Sequence, residues 1–201
     1  MGDVIALKRA ELSAPATSDT LLIRALAGGD GEALGELFSR HHQKVYRFLA
    51  RMAPLDHSHL DDMLQNTFIA ARGSAHRFKG DAKVETWLLA IASNILKQHI
   101  RKETRRRVIA KIVAASAEDR VCNHTPEVNL QQQIMMRHLT TAVHQLSYKL
   151  KVVFVMCDLE GIPGCEVARM LNLREGTVWR RLHDARKQLR QSLSKHMEGN
   201  P

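Results

Sequence analysis

The segment that most limits the possible fold of this chain is residues 161–190, near its carboxyl end. It reads GIPGCEVARMLNLREGTVWRRLHDARKQLR, which predicts a short helix, a turn at Asn172 and a longer helix from Glu175. Asn tolerates the left-handed backbone conformation that a tight turn requires, and the small side chain of Ala168 allows two helices to approach closely. We therefore predict a helix-turn-helix, a motif that places its second helix in the major groove of DNA.

The second helix of this segment has two distinct faces. An apolar stripe recurs at spacings of four, three and four residues, through Val178, Leu182, Ala185 and Leu189. On a helical wheel, Arg180, His183 and Lys187 fall on the opposite side. Arg can form two hydrogen bonds with a guanine edge, so this face is suited to reading DNA. The alternative is an amphipathic surface helix that simply carries many cations.

Composition favours a helical protein with a polyanionic partner. The chain has 201 residues, with 30 Lys and Arg against 21 Asp and Glu, which gives a formal net charge of +9. Such a balance is typical of nucleic-acid binding, although a merely basic protein would share it. Leu and Ala are frequent and β-branched runs are few, apart from 152–155, so helices are expected throughout.

Helical periodicity extends to about residue 107, is lost, and then resumes. We therefore predict an all-α fold of six or seven helices, in two small helical domains joined by a flexible linker. The predicted division is a flexible leader at 1–18, a first domain at 19–107, a linker at 108–127, a second domain at 128–195 and a tail at 196–201.

A dense group of cations lies at the end of the first predicted domain. Within residues 97–107 there are six Lys and Arg residues and one acid, Glu103. Cations also stabilise the carboxyl end of a helix through its dipole, so a solvated helix end is the simpler explanation. The number of cations exceeds what a helix end needs, which favours contact with phosphates.

Several other classes of protein are not favoured. The amino-terminal residues lack the apolar core of a signal peptide, and no apolar run is long enough to span a bilayer. The three Cys residues form neither a zinc-ligand pattern nor a disulfide framework, and the 11 His residues show no ligand spacing. No phosphate-binding loop or nucleophile elbow is present. We expect a cytoplasmic protein that is not an enzyme and needs no metal or cofactor.

The first predicted domain resembles region 2 of the sigma-70 family. The segment 61–68 reads DDMLQNTF, an acidic pair followed by Gln and Phe, and Phe78 lies in the loop that follows. The segment 87–94 reads WLLAIASN and precedes a basic stretch. Their order and spacing are similar to those of the extracytoplasmic-function (ECF, group 4) sigma factors, which have regions 2 and 4 alone.

The second predicted domain resembles region 4 of the same family. The matching residues are Leu146, Lys151, the segment EVA at 166–168, the segment GTV at 176–178, and the pairs at 181–182 and 185–186. Ser147 stands where Pro is usual, Lys151 where Arg is common, and Arg174 where Ser or Pro often begins the recognition helix. The last departure removes a side-chain helix cap.

The resemblance implies a role in transcription initiation and assigns residues to it. Contact with the β′ coiled coil of RNA polymerase would come from Asp61, Asp62, Gln65 and Phe68, and region 4 would meet the β flap. The −10 promoter element would be held by Phe78, Lys79, Trp87, Asn94, Lys97 and Arg101. The −35 element would be read by Arg174, Glu175, Thr177, Arg180, Arg181, His183, Arg186 and Lys187. Factors of this family are often controlled by an anti-sigma protein, which is therefore an expected partner.

A stand-alone helix-turn-helix regulator is the alternative. It would explain residues 161–190 equally well. It does not explain why an acidic group at 61–65 is followed by a basic helix. Neither the promoter sequence nor the inducing signal can be read from this chain.

Overall fold

The computed structural model of the protein describes residues 18–53, 57–113 and 130–198. Within these ranges every regular element is helical, with eight α-helices, a short 3₁₀ turn and one π-helical segment. The predicted all-α fold with two helical domains is therefore confirmed.

The first domain is built from four helices. They are α1 (Asp19–Ala27), α2 (Gly31–Met52), α3 (His57–Ser74) and α4 (Val84–Val113). Ser18 caps the amino end of α1, and its hydroxyl accepts a hydrogen bond from the amide of Leu21 at 3.4 Å. Asp30 caps the amino end of α2, and its carboxylate accepts a hydrogen bond from the amide of Glu32 at 2.8 Å. Both are preferred capping residues because their oxygens satisfy amides that the first helical turn leaves unpaired.

The connection between α3 and α4 forms a loop at the surface. A 3₁₀ turn, Ala75–Arg77, leads into residues 78–83, which we call the α4 loop. Gly80 has a φ of 79°, a conformation that residues with a Cβ rarely adopt. The carbonyl of Lys83 accepts a hydrogen bond from the amide of Trp87 at 3.1 Å, so the loop passes directly into α4.

The second domain contains the remaining four helices. They are α5 (Leu130–Gln145), α6 (Tyr148–Phe154), α7 (Gly164–Met170) and α8 (Glu175–Glu198), with the π-helical segment Val155–Leu159 directly after α6. The π segment shows in the bond from the amide of Glu160 to the carbonyl of Val155, five residues back, at 2.9 Å. The Val-rich run at 152–155 is helical, in agreement with the expectation of helices throughout the chain.

The inward faces agree with the predicted periodicity. On α3 the residues at positions 60, 64, 67, 68 and 71 are all buried, and on α8 the stripe through Val178, Leu182, Ala185 and Leu189 is buried. The buried apolar residues of the two domains form one continuous cluster. The domains therefore pack against each other as well as within themselves.

Two predicted boundaries fall inside helices. The linker was predicted to begin at 108, but α4 continues to Val113; the segment 101–113 contains no Gly or Pro, and its Arg, Lys, Ile and Ala residues can continue a helix. Likewise α8 continues past 195 to Glu198. The rest of the predicted linker and most of the leader lie outside the described residues.

Candidate nucleic-acid interface

The predicted helix-turn-helix is formed by α7, a short turn and α8. Asn172 has a φ of 52°, the left-handed conformation expected of a residue at this turn. The amide of Leu173 closes the turn by donating to the carbonyl of Ala168 at 2.8 Å. Ala168 is itself buried, as is Val178 at the start of α8. These contacts hold the two helices in a fixed relation, which the motif requires to present its second helix to DNA.

The outer face of α8 carries most of the residues predicted to read DNA. Exposed positions are Arg174, Glu175, Arg180, His183, Arg186 and Lys187, and half-buried positions are Thr177 and Arg181. Arg180 forms no ion pair within the described part of the chain, so its guanidinium is available to a base edge or a phosphate.

Arg186 differs from the other predicted reading residues because it is bound within its own domain. Its Nε and Nη2 donate to the two carboxylate oxygens of Asp158 at 2.9 and 2.6 Å. The hydrogen bonds to Asp158 raise the pKa of the Arg186 guanidinium. This bidentate ion pair fixes the π segment against α8. It also neutralises part of the charge of Arg186 in the absence of DNA.

Trp179 lies on this surface and was not among the predicted residues. Its side chain is 54% exposed, although it is the residue directly after the buried Val178. The ring rests on Gly164 at the start of α7, where an added Cβ would lie 3.0 Å from the ring atom Cζ2. The signal was present in the sequence, since Trp179 is an aromatic residue outside the apolar stripe of α8.

The acidic residues of α3 form a separate surface on the first domain. Asp61, Asp62 and Gln65 are exposed, as predicted from their helical positions. Phe68 is only 3% exposed, and its ring packs edge-on against Phe38 with centroids 4.9 Å apart. Phe68 therefore supports this surface by packing on its buried side.

Apolar side chains extend the α3 surface toward α2. Ile69 is 64% exposed and Phe38 is 38% exposed. Together with Leu34, Gln65 and Phe68 they line a shallow cleft between the two helices. Large exposed apolar groups next to acidic ones are typical of a protein-binding surface.

The α4 loop and the start of α4 bring two aromatic rings together. The ring centroids of Phe78 and Trp87 are 5.2 Å apart, and both side chains are half-buried. Lys79, in the loop, and Asn94, further along α4, are exposed. Aromatic faces beside cations can stack an unpaired base, because every base has a π face.

Beyond these rings, α4 presents a cationic surface. Arg101, Lys102, Arg105 and Arg106 are exposed and line a shallow groove with Gln98, while Lys97 is half-buried. No acid is paired with these four cations in the described residues. Unpaired cations along one helix are suited to a phosphate backbone.

Other kinds of site find little support in the described residues. Within these ranges, no three His, Cys, Asp or Glu side chains are arranged to hold a metal ion, and no helix is long and apolar enough to cross a membrane. Burial raises the pKa of the Cys157 thiol to about 11, so that thiol stays protonated at neutral pH. Cys122 lies outside the described residues.

Comparison with known proteins identifies similar sequences for both domains. The chain matches the family Sigma-70 region 2 over residues 37–106 and the family Sigma-70, region 4 over residues 136–189. It is 30% identical over 176 residues to the ECF RNA polymerase sigma factor SigM of Mycobacterium tuberculosis, covering 88% of this chain and 85% of that protein. It is 29% identical over 182 residues to the ECF RNA polymerase sigma-E factor of Haemophilus influenzae, covering 88% and 95%.

Two solved structures share the fold. The sigma factor RpoE of Bartonella quintana, solved in complex with the anti-sigma factor NepR, aligns with a TM-score of 0.65 at 19% identity, covering 80% of this chain and 96% of that one. CnrH, solved in complex with the cytosolic domain of CnrY, aligns with a TM-score of 0.63 at 22% identity, covering 89% and 99%.

Proposed function

The chain belongs to the extracytoplasmic-function family of RNA polymerase sigma factors. On that premise we propose which of its surfaces contacts the polymerase and which surfaces contact each promoter element. Proteins of this family are initiation factors and not enzymes. The observation that carries the proposal is that one chain holds two separate cationic surfaces, on α4 and α8, together with an acidic surface on α3. The two cationic surfaces are suited to the two promoter elements, which are DNA, and the acidic surface is suited to the polymerase.

The α3 surface is proposed to bind core RNA polymerase at its β′ coiled coil. Asp61, Asp62 and Gln65 are exposed, and neither acid has an ion-pair partner within the described residues. Their charges are therefore available to a basic partner, while Ile69 and the neighbouring cleft supply apolar area. Phe68 acts through its packing on Phe38, which fixes the shape of the cleft. Region 4 is proposed to contact the β flap.

The α4 loop and α4 are proposed to capture the −10 element. Phe78 and Trp87 would hold a base that has left the duplex stack, a step that costs a few kcal/mol and that stacking in a fitted pocket can offset. Lys79, Lys97 and Arg101 lie where phosphates of the same strand would run along α4, and Asn94 adds a hydrogen-bonding group.

The outer face of α8 is proposed to read the −35 element. Arg180 is the foremost candidate for a base edge because it is exposed and unpaired, with Arg181, His183 and Thr177 beside it. Arg174, Glu175 and Lys187 occupy the ends of the same face. Arg186 is proposed to act mainly by fixing the position of α8 through Asp158. Trp179 adds an aromatic surface at the edge of this face.

Control by an anti-sigma factor is part of the proposal. Two proteins of the same fold were solved with such partners or with a partner's cytosolic domain. An inhibitor that covered the α3 surface would prevent polymerase binding. We further propose that the protein acts in the cytoplasm, where the polymerase that it serves transcribes DNA.

Binding to core RNA polymerase tests the assignment of α3. We expect Asp61→Asn and Asp62→Asn each to weaken binding about fivefold, the effect of about 1 kcal/mol. Asp184→Asn removes another exposed acid, on α8, and serves as the matched control; its affinity should equal that of the wild type. Equal affinities for all four proteins, measured by fluorescence anisotropy, would contradict the assignment.

A further inference from the structure

The ion pair between Asp158 and Arg186 holds an arginine of α8 in one orientation. One carboxylate oxygen of Asp158 accepts from Nε of Arg186 at 2.9 Å, and the other accepts from Nη2 at 2.6 Å. Because a guanidinium is planar, the N–H donors that are not used in this pair point away from the carboxylate. We call these donors the free edge of Arg186, and Asp158 fixes the direction in which they point.

The free edge of Arg186 is open to water, while its partner is more enclosed. The side chain of Arg186 is 51% exposed and that of Asp158 is 22% exposed. Among the three cations at positions 186, 187 and 190, Arg186 alone has an acidic partner in the part of the chain that the structure describes. An unpaired cation on a long side chain can follow a phosphate to several positions, whereas Arg186 can meet only a group that approaches its free edge.

Arg186 lies at the side of α8 and not at the centre of its outer face. At about 100° per residue, Arg186 lies about 80° around the helix from Val178, which is buried, and Arg180 lies about 160° from it. A recognition helix in the major groove turns the centre of its outer face to the base edges, and the phosphate backbones run along its sides. The free edge of Arg186 is therefore placed to contact a phosphate, and Arg180 to contact a base.

We propose that Asp158 is a positioning residue that lets Arg186 contact a phosphate in only one register of α8 on the DNA. This inference rests on the proposed function, in which the outer face of α8 reads the −35 element. Phosphate contacts fix the register and orientation of a protein on the duplex. The register that satisfies Arg186 is the one in which Arg180 reaches its base. Asp158 thus contributes to the choice of sequence without touching DNA.

The same pair limits binding to incorrect sequences. Specificity is a difference between two affinities, and a flexible cation strengthens binding to any sequence. Without Asp158, Arg186 would carry its full charge and could follow a phosphate in any register, which favours incorrect sequences. On the correct sequence the same side chain would first have to be ordered, and ordering a long side chain on binding costs affinity. Loss of Asp158 should therefore lower the preference for the correct sequence.

Binding of the holoenzyme, formed with core RNA polymerase, to two duplexes tests the proposal. One is a promoter duplex recovered by mapping transcripts, and the other is the same duplex with its upstream motif scrambled. We expect Asp158→Ala to lower the ratio of the two affinities about fivefold, the cost of ordering one long side chain. Asp158→Asn, which keeps one acceptor oxygen, should lower the ratio less. On the scrambled duplex, Asp158→Ala should steepen the fall of log affinity with log salt by about 0.9, because one further phosphate is neutralised.

Three further variants separate positioning by Asp158 from a general loss of structure. Asp184→Ala removes an exposed acid of α8 that has no ion pair in the described residues, so it should leave the ratio and the salt slope unchanged. Arg186→Lys keeps the charge but cannot form the bidentate pair, so it should lower the ratio as Asp158→Ala does. In an Arg186→Ala background, Asp158→Ala should have no further effect on either quantity. Circular dichroism identifies any variant that has lost its helices.

Two results would overturn the proposal. One is a wild-type ratio in both Asp158→Ala and Arg186→Lys. The other is an effect of Asp158→Ala that persists in the Arg186→Ala background, because Asp158 would then act without Arg186. Failure of the proposed function is distinguishable from either result, since the wild-type holoenzyme itself would then show no preference for the intact duplex.

Discussion

At the scale of single residues, Trp179 adds an exposed aromatic ring to the surface that α8 presents. Its exposed ring would bury a few tens of Å² of apolar surface against DNA, worth about 1 kcal/mol at about 25 cal/mol per Å². We therefore expect Trp179→Ala to weaken binding to a −35 duplex about fivefold. Anisotropy of a labelled duplex measures this, and Trp87→Phe, in the other domain, is the control. Unchanged affinity for Trp179→Ala would remove the residue from the reading surface.

Gly164 is expected to act through Trp179. A methyl group added at Gly164 would meet the Trp179 ring at 3.0 Å, a separation that forces the ring to move. Gly164→Ala should therefore reduce duplex binding in the wild type but have no further effect when Trp179 is already Ala, in a double-mutant cycle. Additive losses in the double variant would show that Gly164 acts independently of the ring.

His144 is expected to make stability depend on pH. Burial, aided by the nearby charge of Lys151, lowers the pKa of His144, and its Nε2 is buried without a hydrogen-bond partner among the described residues. The carbonyls of Ala50 and Arg51, on α2, oppose that shift without forming a bond to Nε2. The unfolded chain therefore takes up this proton first, and stability should fall as the pH drops below about 6.5.

Thermal unfolding at pH 7.5 and pH 5.5 measures the contribution of His144. The wild type should lose more stability over this interval than His144→Gln, whose side chain cannot titrate. The other histidines are common to both proteins and cancel in the comparison. An equal loss in the two proteins would contradict the assignment.

At the scale of elements, α4 is expected to supply a salt-dependent part of DNA binding. Arg101 and Arg105 are exposed on its cationic surface, and neither is paired within the described residues. Removal of one cation that neutralises a phosphate should reduce the slope of log affinity against log salt by about 0.7 for a single strand. Arg101→Ala/Arg105→Ala should therefore lower that slope by about 1.4, measured from 50 to 300 mM salt. An unchanged slope would place the phosphates elsewhere.

The helices themselves were largely predictable from the sequence because their apolar spacing is regular. The stripe on α8 and the inward face of α3 follow directly from residue periodicity. The π segment Val155–Leu159 was not predicted, because one extra residue in a helical turn does not visibly change the pattern of apolar residues in the sequence. The pairing of Arg186 with Asp158 was missed for a related reason: that turn places Asp158 beside α8.

At the scale of the whole molecule, the contact between the two domains could not be predicted from local patterns. Glu160 and Glu166 lie 109 and 83 residues from their partners Arg51 and Lys83. Nothing in the spacing of either segment indicates the other, because contacts between distant residues leave no periodic pattern in the sequence. The division into two helical domains was predictable, whereas their arrangement is a property of the folded chain.

Transcription from a library of genomic DNA fragments by core RNA polymerase, with and without this protein, tests the central claim most directly. Sequencing of the RNA 5′ ends should show discrete starts that require the protein and that share two upstream motifs at a fixed separation. Arg180→Ala should weaken dependence on the upstream motif, and Trp87→Ala on the downstream one. If no starts depend on the protein while it still selects duplex fragments alone, its role as a sigma factor is contradicted and a stand-alone regulator is the better description.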